Sequence, residues 1–350
     1  MPTNPQYMQR ALQLAKNGLG ITAPNPMVGA VIVYGDTIIG EGFTSSYGGP
    51  HAEVNAINAV ADKTYLAKST LYVTLEPCSH FGKTPPCADL IIKHKIPNVV
   101  IGVLDPHDKV MGQGVARLKS AGCNVTVGVL EDACIEHHKR FLTFHRKHRP
   151  YIILKWAETS DGFIAPLATK RGVKPQPFWI SNSYSKQLVH KWRSEERAIL
   201  VGTKTVLADN PQLNVRTWFG RSPIRVIIDR KLKIQGDYHV LDHNAKTIVI
   251  TEIKKGPKWM KNIDYEVINF TKNVPQQICD LLYKHNITSV LIEGGGRTLQ
   301  SFLSDNLWDE ARIFVGPNSF GEGIKGPSFE GTKLSTKKIG SDFLNLYKND

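Results

Sequence analysis

Apolar residues along this chain come in short runs whose spacing switches between the helical and the strand period. Asn4 followed by Pro5 reads as a cap and a first-turn proline, and Met8, Ala11, Leu12 and Ala15 then share one helical face. "MVGAVIVYGDTIIGEGF" (27–43) predicts two strands joined at Gly35-Asp36. Pro50 opens a helix with Val54, Ile57 and Ala61 on its inner face. Buried-strand runs at 69–75 and 98–104 flank a helix from Cys87 to His94, and "GVARLKSAG" and "NVTVGVL" add a helix and a strand.

The pattern restarts near Arg149-Pro150. "YIILKWA", "AILVG", "IRVIID" and "KTIVI" are strand-like, "NSYSKQLVHKWRSEE" is helical, and "SVLIEGGG" runs from a strand into glycines before the helix "TLQSFLSDN". The alternation is α/β from end to end, with no internal repeat. A chain of 350 residues exceeds one typical core, so two domains are expected, 1–147 and 148–350.

Composition narrows the class. Hydrophobic content of 41% and charged content of 21% are those of a globular protein. The longest apolar runs are too short for a membrane span, and the amino terminus has no apolar signal region. Five cysteines, without framework spacing, point to a reducing compartment, and the cytoplasm is expected. The net charge of +13 leaves two readings. Lys and Arg are spread along the chain, with one denser patch, "HHKRFLTFHRKHRP" (137–150), at the expected domain junction. Nucleic-acid binding would need a stripe with stacking aromatics; small anionic substrates need only the general field.

Four residues carry the sharper chemistry. His51 and Glu53 lie at the start of one helix, Cys78 follows a strand, and Cys87 heads the next helix. Singly, each reads as a packed histidine, a capping glutamate or an inert thiol. In this order they form a His-x-Glu … Pro-Cys pattern suited to metal. One imidazole and two thiolates make a three-ligand zinc site with a fourth position for water. Zinc would lower that water's pKa toward neutrality, and Glu53 would shuttle its proton to a leaving amine. One zinc per chain is expected.

The spacing departs from the Cys-x-x-Cys common in nucleobase deaminases, since "SHFGKTPP" separates the two cysteines. Here "PNPMVGAVIV", "GGPHAEVNAI" and "TLEPCSHFGKTPPCADLI" resemble the amino-terminal half of the bifunctional riboflavin-biosynthesis deaminase-reductases. That resemblance implies a cytidine-deaminase-like α/β/α sandwich whose longer loop helps bind a phosphoribosyl-aminopyrimidine. It puts His80 and Lys83 near the substrate's phosphate or ribose and Asn25 against the pyrimidine. The chain departs from the family at Thr44, commonly histidine, and at His107-Asp108, where the family reads Asn-Pro after Asp-Pro.

In the second half, "SVLIEGGGRTL" places three glycines before a helix amino terminus, an arrangement that suits a phosphate. "LKWAETSDGFIA", "WISNSYSKQLVHKWRSEERAILVGTKTVLADNPQLNVR" and "RVIIDR" are similar to the family's reductase half. The resemblance implies a dihydrofolate-reductase-like α/β domain that binds NADPH. Carried over by position, the cofactor contacts are Ala157, Trp179, Thr205, Asp209, Arg230, Gly295, Gly296, Arg297, Thr298, Leu299, Gln300 and Ser301. The substrate contacts are Arg193, Leu213, Arg216 and Glu293, the last orienting a ribose hydroxyl or protonating the sugar. Pro177 stands where the family has a substrate-contacting serine, and a proline offers neither hydroxyl nor amide hydrogen.

The expected function is therefore bifunctional. Zinc-hydroxide hydrolysis would remove an amino group from 2,5-diamino-6-ribosylamino-4(3H)-pyrimidinone 5′-phosphate. NADPH would then reduce the ribosyl group of 5-amino-6-(5-phosphoribosylamino)uracil to ribityl. The implied partners are small phosphorylated aminopyrimidines, without nucleic acid or membrane, and the family implies a homodimer or homotetramer. Two alternatives remain at this level: a tRNA or DNA base deaminase, motivated by the basic charge, and a non-catalytic zinc- or RNA-binding module, motivated by the departures.

Overall fold

A computed structural model describes residues 3–79, 85–106, 111–170, 172, 174–254 and 262–349. The chain divides into two compact units, residues 1–148 and 149–350.

In the first unit the elements run α1 (Pro5–Ala15), β1 (Gly29–Tyr34), β2 (Thr37–Phe43), α2 (Ala52–Ala59), β3 (Thr70–Leu75), α3 (Cys87–Lys93), β4 (Asn98–Val103), α4 (Gln113–Ser120), β5 (Asn124–Val127) and α5 (Glu131–Lys147). The sheet order is β2-β1-β3-β4-β5. The β1–β2 hairpin is antiparallel, as is β1–β3, whereas β3, β4 and β5 are parallel and so need helical crossovers. Asn4 caps α1 by accepting from the Gln6 amide, and Met8, Ala11, Leu12 and Ala15 are buried.

The inner face of α2 differs from the expected one. Ala52, Ala56 and Ile57 are buried, Val54 is half-buried and Ala61 is exposed. The cause lies in β2. A Cβ on Gly42 would stand 2.4 Å from the Ala52 carbonyl, and one on Gly40 would stand 2.4 Å from that of Ala56. These two glycines let the helix backbone settle on the strand, so its smallest residues face inward.

The basic patch at 137–150 falls largely within α5, a helix the sequence reading did not identify. It buries Cys134, His138, Leu142 and Phe144. His138 Nε2 lies 3.1 Å from Thr74 Oγ1, and burial holds the imidazole well below its usual pKa. This part of the patch is interior packing.

The second unit contains β6 (Tyr151–Glu158), β7 (Phe163–Ala165), α6 (Ser183–Glu195), β8 (Ala198–Gly202), α7 (Thr203–Asp209), β9 (Ile224–Ile228), β10 (Thr247–Thr251), β11 (Ile263–Val267), α8 (Val274–Lys284), β12 (Ser289–Gly294), α9 (Gly296–Ser304), β13 (Glu310–Val315), β14 (Ile324–Lys325), β15 (Thr332–Ile339) and β16 (Asp342–Lys348). Among the described residues, nine strands form one sheet in the order β11-β10-β9-β8-β12-β6-β13-β16-β15. The first seven are mutually parallel and the last two antiparallel. Strand alternation sorts the core onto both faces. Ile152 and Leu154 pack in one cluster with residues of α8 and α9. Tyr151, Ile153 and Leu291 pack on the other face with Val189 and Trp192 of α6. The carboxy-terminal residues, unassigned from sequence, form the β15–β16 hairpin that extends the sheet beyond β13.

Candidate functional site

The first site forms where α2 and α3 begin. His51 is the N-cap of α2, with extended backbone, and its ring makes no capping hydrogen bond to the helix. Cys78 follows β3, and Cys87 is the first residue of α3. The Cys87 amide donates to Cys78 Sγ at 3.3 Å, and the Ala88 amide donates to the Cys78 carbonyl at 3.1 Å. His51 Nδ1 stands 3.7 Å from Cys78 Sγ and 3.3 Å from Cys87 Sγ. Among the described residues, these three are the group of His, Cys, Asp or Glu whose donor atoms all lie within 4.8 Å of one another.

The donor set fits zinc. Tetrahedral bonds of about 2.0–2.1 Å to nitrogen and about 2.3 Å to sulfur separate the donor atoms by about 3.5–3.8 Å. Cys87 is buried, and His51 and Cys78 are half-buried. The Cys87 thiol hydrogen bond, with those from His51 and the Cys87 amide, outweighs burial and pulls the Cys78 thiol down to about 4. The Cys87 thiol is pushed up, because it holds the proton the pair shares. The bond to Cys78 raises His51.

Glu53 is 3% exposed, and its electrostatic neighbours are Cys78, His51 and Cys87. Burial first, then the Cys78 charge, raises its carboxyl to about 7. Such a group can both take and give a proton at neutral pH.

The remaining residues expected in this half are distributed differently. Asn25 is half-buried in the turn after α1, its amide donating to the Thr22 carbonyl at 3.0 Å. Thr44 is buried, and its hydroxyl accepts from the Val28 amide at 3.0 Å. The departure at this position is thus absorbed into backbone support. His80, Lys83, His107 and Asp108 lie outside the described residues.

The second site stands at the carboxyl ends of β6 and β12. Residue parity puts Lys155 and Ala157 on the face of Ile153, and Glu293 on the face of Leu291, the face that α6 covers. Arg193 of α6 donates from Nε to Glu293 Oε1 at 2.7 Å and from Nη2 to Oε2 at 2.6 Å, while its Nη1 reaches the Asn214 carbonyl at 3.2 Å. The Arg216 amide donates to His190 Nδ1 at 3.2 Å. Burial alone would raise the Glu293 carboxyl, but the Arg193 and Lys155 charges and the Arg193 hydrogen bonds bring it down to about 2. Burial, with Arg193 and Arg216 nearby, lowers His190 to about 4. Burial also lowers Lys155, a cation the sequence reading missed. Its one signal was a lysine inside an otherwise apolar strand.

Beside this cluster, two neighbouring strands each turn through glycine into a helix that no side chain caps: β8 into α7 at Gly202, and β12 into α9 at Gly295. Gly295 has φ +76. A Cβ on Gly294 would meet Thr205 at 3.2 Å, and one on Gly202 would meet Thr298 Oγ1 at 2.7 Å. Thr205, Thr298 and the glycines therefore share a tight cradle of open amides, which suits a phosphorylated cofactor.

Other expected cofactor positions stand elsewhere. Leu299 is a core residue at 1% exposure. Gln300 pairs with the Ser328 backbone at 3.0 and 3.1 Å, and the Ser301 hydroxyl donates to the Thr298 carbonyl. Helical periodicity explains all three, because consecutive residues after a helix start cannot all face one side. Arg297 is exposed, Asp209 ends α7, and Arg230 at the end of β9 is bound to Glu252. Trp179 is 55% exposed, with Lys186 Nζ 3.9 Å from its ring centre, and Pro177 is exposed just before it. Leu213 is buried, and the Arg216 side chain meets Gln212 and Asn214.

Comparison with known proteins places each half. Residues 1–103 match the cytidine and deoxycytidylate deaminase zinc-binding region, and residues 150–347 match the RibD C-terminal domain. The riboflavin biosynthesis protein RibD of Aquifex aeolicus is 40% identical over 98% of this chain and 97% of its own length. That of Synechocystis is 35% identical over 98% and 96%. Among solved structures, a diaminohydroxyphosphoribosylaminopyrimidine deaminase/5-amino-6-(5-phosphoribosylamino)uracil reductase from Thermotoga maritima superposes with a TM-score of 0.88 at 38% identity, covering 99% of this chain and 98% of its own. RibD of Acinetobacter baumannii gives a TM-score of 0.89 at 33% identity with the same coverage. The fold is thus a cytidine-deaminase-like domain followed by a RibD reductase domain. Relatives that span both halves do not favour the nucleic-acid deaminase or the non-catalytic module.

Proposed function

This chain belongs to the RibD family of riboflavin-biosynthesis proteins, enzymes with a deaminase and a reductase activity, and we propose which of its residues carry each reaction. The carrying observation is the meeting of His51, Cys78 and Cys87 beside the buried carboxyl of Glu53. We assign those three as ligands of one zinc ion per chain. When bound, zinc supplies the Lewis acidity that brings a water's pKa toward neutrality. Glu53 takes the proton from that water and returns it to the departing amine. Overall, water's oxygen becomes the ring carbonyl, one of its protons ends on the adjacent ring nitrogen, and the other leaves with the amine as ammonia. Asn25, His80 and Lys83 are assigned to hold the aminopyrimidine phosphate.

In the second unit we assign the nicotinamide cofactor as NADPH, held over the Gly295–Gly296 turn with Thr205 and Thr298. When bound, it supplies the hydride. Arg193, Arg216 and Lys155 surround the single carboxylate of Glu293, an excess of positive charge that suits a substrate phosphate. With its carboxyl held near 2, Glu293 acts as an acceptor that orients the ribose, not as its acid. Lys155 is the neighbouring group able to give the proton that reduction of an imine-like carbon requires.

Five free cysteines suit a cytoplasmic enzyme, and we expect a homo-oligomer as in the family. Supplying the diaminopyrimidine phosphate with and without NADPH tests both halves. Ammonia release without cofactor, followed by NADPH oxidation once it is added, is the expected result. Ammonia release from nucleic acid but not from the pyrimidine phosphate would overturn it.

A further inference from the structure

The eight residues between Cys78 and Cys87 raise a mechanical question. In a Cys-x-x-Cys motif one helical turn fixes both sulfurs; here the connecting chain is too long to do so. Both cysteine-bearing segments instead lean on α4.

On the Cys78 side the contact is Glu76, two residues upstream and 4% exposed. Its Oε2 accepts from the amides of Asp105 at 3.1 Å and Gly112 at 3.0 Å, and its Oε1 accepts from the Val115 amide at 3.1 Å. Gly112 is the capping residue of α4 and offers no side chain, so the Glu76 carboxylate satisfies that helix start from outside. The fit is close: a Cβ on Gly114 would stand 2.2 Å from the Pro77 carbonyl.

On the Cys87 side the contact is Arg117, one turn further along α4. Its Nε lies 2.5 Å from Asp89 Oδ1, and its Nη2 donates to Asp89 Oδ2 at 2.9 Å. Asp89 sits in the first turn of α3, the turn that Cys87 opens. The Nη1 of Arg117 also reaches back to the Ser79 carbonyl, next to Cys78, at 3.4 Å.

We propose that α4 braces the metal centre, with Glu76 and Arg117 as positioning residues that set the separation of the two cysteine sulfurs. The inference rests on the assignment of His51, Cys78 and Cys87 as zinc ligands. Arg117 and Asp89 are partly exposed, so their ion pair adds little to global stability. Its consequence is the geometry of the thiolates. Groups that orient metal ligands typically change metal affinity about 10–100-fold when removed.

The test is zinc transfer from the full-length protein to an excess of a chromogenic chelator, at a temperature well below unfolding. Glu76→Gln and Arg117→Met are expected to release zinc about tenfold faster than the parent. Arg117→Lys, which can meet Asp89 but not bridge to Ser79, should fall between. Melting of the zinc-free Arg117→Met protein and its reductase rate should match the parent. Release at the parental rate in both Glu76→Gln and Arg117→Met overturns the brace. So does an Arg117→Met protein whose faster release is matched by an equally weakened zinc-free fold. A parent protein that takes up no zinc would instead remove the ligand assignment on which the brace rests.

Discussion

Arg193 grips both oxygens of Glu293, at 2.7 and 2.6 Å, across the space between α6 and the end of β12. Both side chains are nearly buried, so neither has water as an alternative partner. The consequence is a carboxylate that stays ionised throughout the working pH range. Glu293→Gln keeps the shape and removes the charge. Its reductase rate should fall about a hundredfold through lost orientation of the substrate, measured as NADPH oxidation on the deaminated substrate, while ammonia release stays at the parental rate. A reductase rate within twofold of the parent would remove Glu293 from the site.

The same cluster sets a pH dependence. Glu293 is lowered to about 2 from 4.5 and His190 to about 4 from 6.5. In both cases the unfolded chain binds the proton more readily, so stability rises with pH. His190 contributes a loss as pH falls from about 6.5 to about 4, and Glu293 a further loss from about 4.5 to about 2. Thermal unfolding scanned against pH should show this, and His190→Asn should flatten the upper part of the curve.

Glu53→Gln separates metal binding from proton transfer. The variant should retain zinc by elemental analysis and lose ammonia release by about a hundredfold or more. Removing zinc from the parent with a chelator should abolish deamination and leave the reductase rate intact, because the second unit holds none of the three ligands.

Gly42 tests how the helix that presents the ligand is placed. Gly42→Ala would set a Cβ 2.4 Å from the Ala52 carbonyl, one residue from His51. Overpacking of this kind costs about 1–3 kcal/mol. The expected outcome is a lower melting temperature for the first unit together with weaker zinc retention.

The sequence reading was strongest where local chemistry decides structure. The Asn4-Pro5 cap, the buried face of α1 and the β1–β2 hairpin are settled within a few residues of chain. The grouping of His51, Cys78 and Cys87 was legible because a histidine at one helix start, a cysteine just after a strand and a cysteine at the next helix start are metal-binding types at the ends of elements. Reading failed where a partner element decides. The face of α2 depends on two glycines in another strand, and α5 hides its apolar stripe among basic residues. Lys155 was invisible because the carboxylate beside it, Glu293, stands on a neighbouring strand far away in sequence. Assigning every residue from Gly295 to Ser301 to the cofactor ignored the helical period, which turns Leu299 into the core.

X-ray absorption at the zinc edge of the purified, unchelated protein tests the metal centre most directly. The account predicts a shell of two sulfurs at about 2.3 Å with two lighter atoms at about 2.0–2.1 Å, one of them the His51 nitrogen. A shell of oxygen and nitrogen alone, or a protein that carries no zinc, would contradict it.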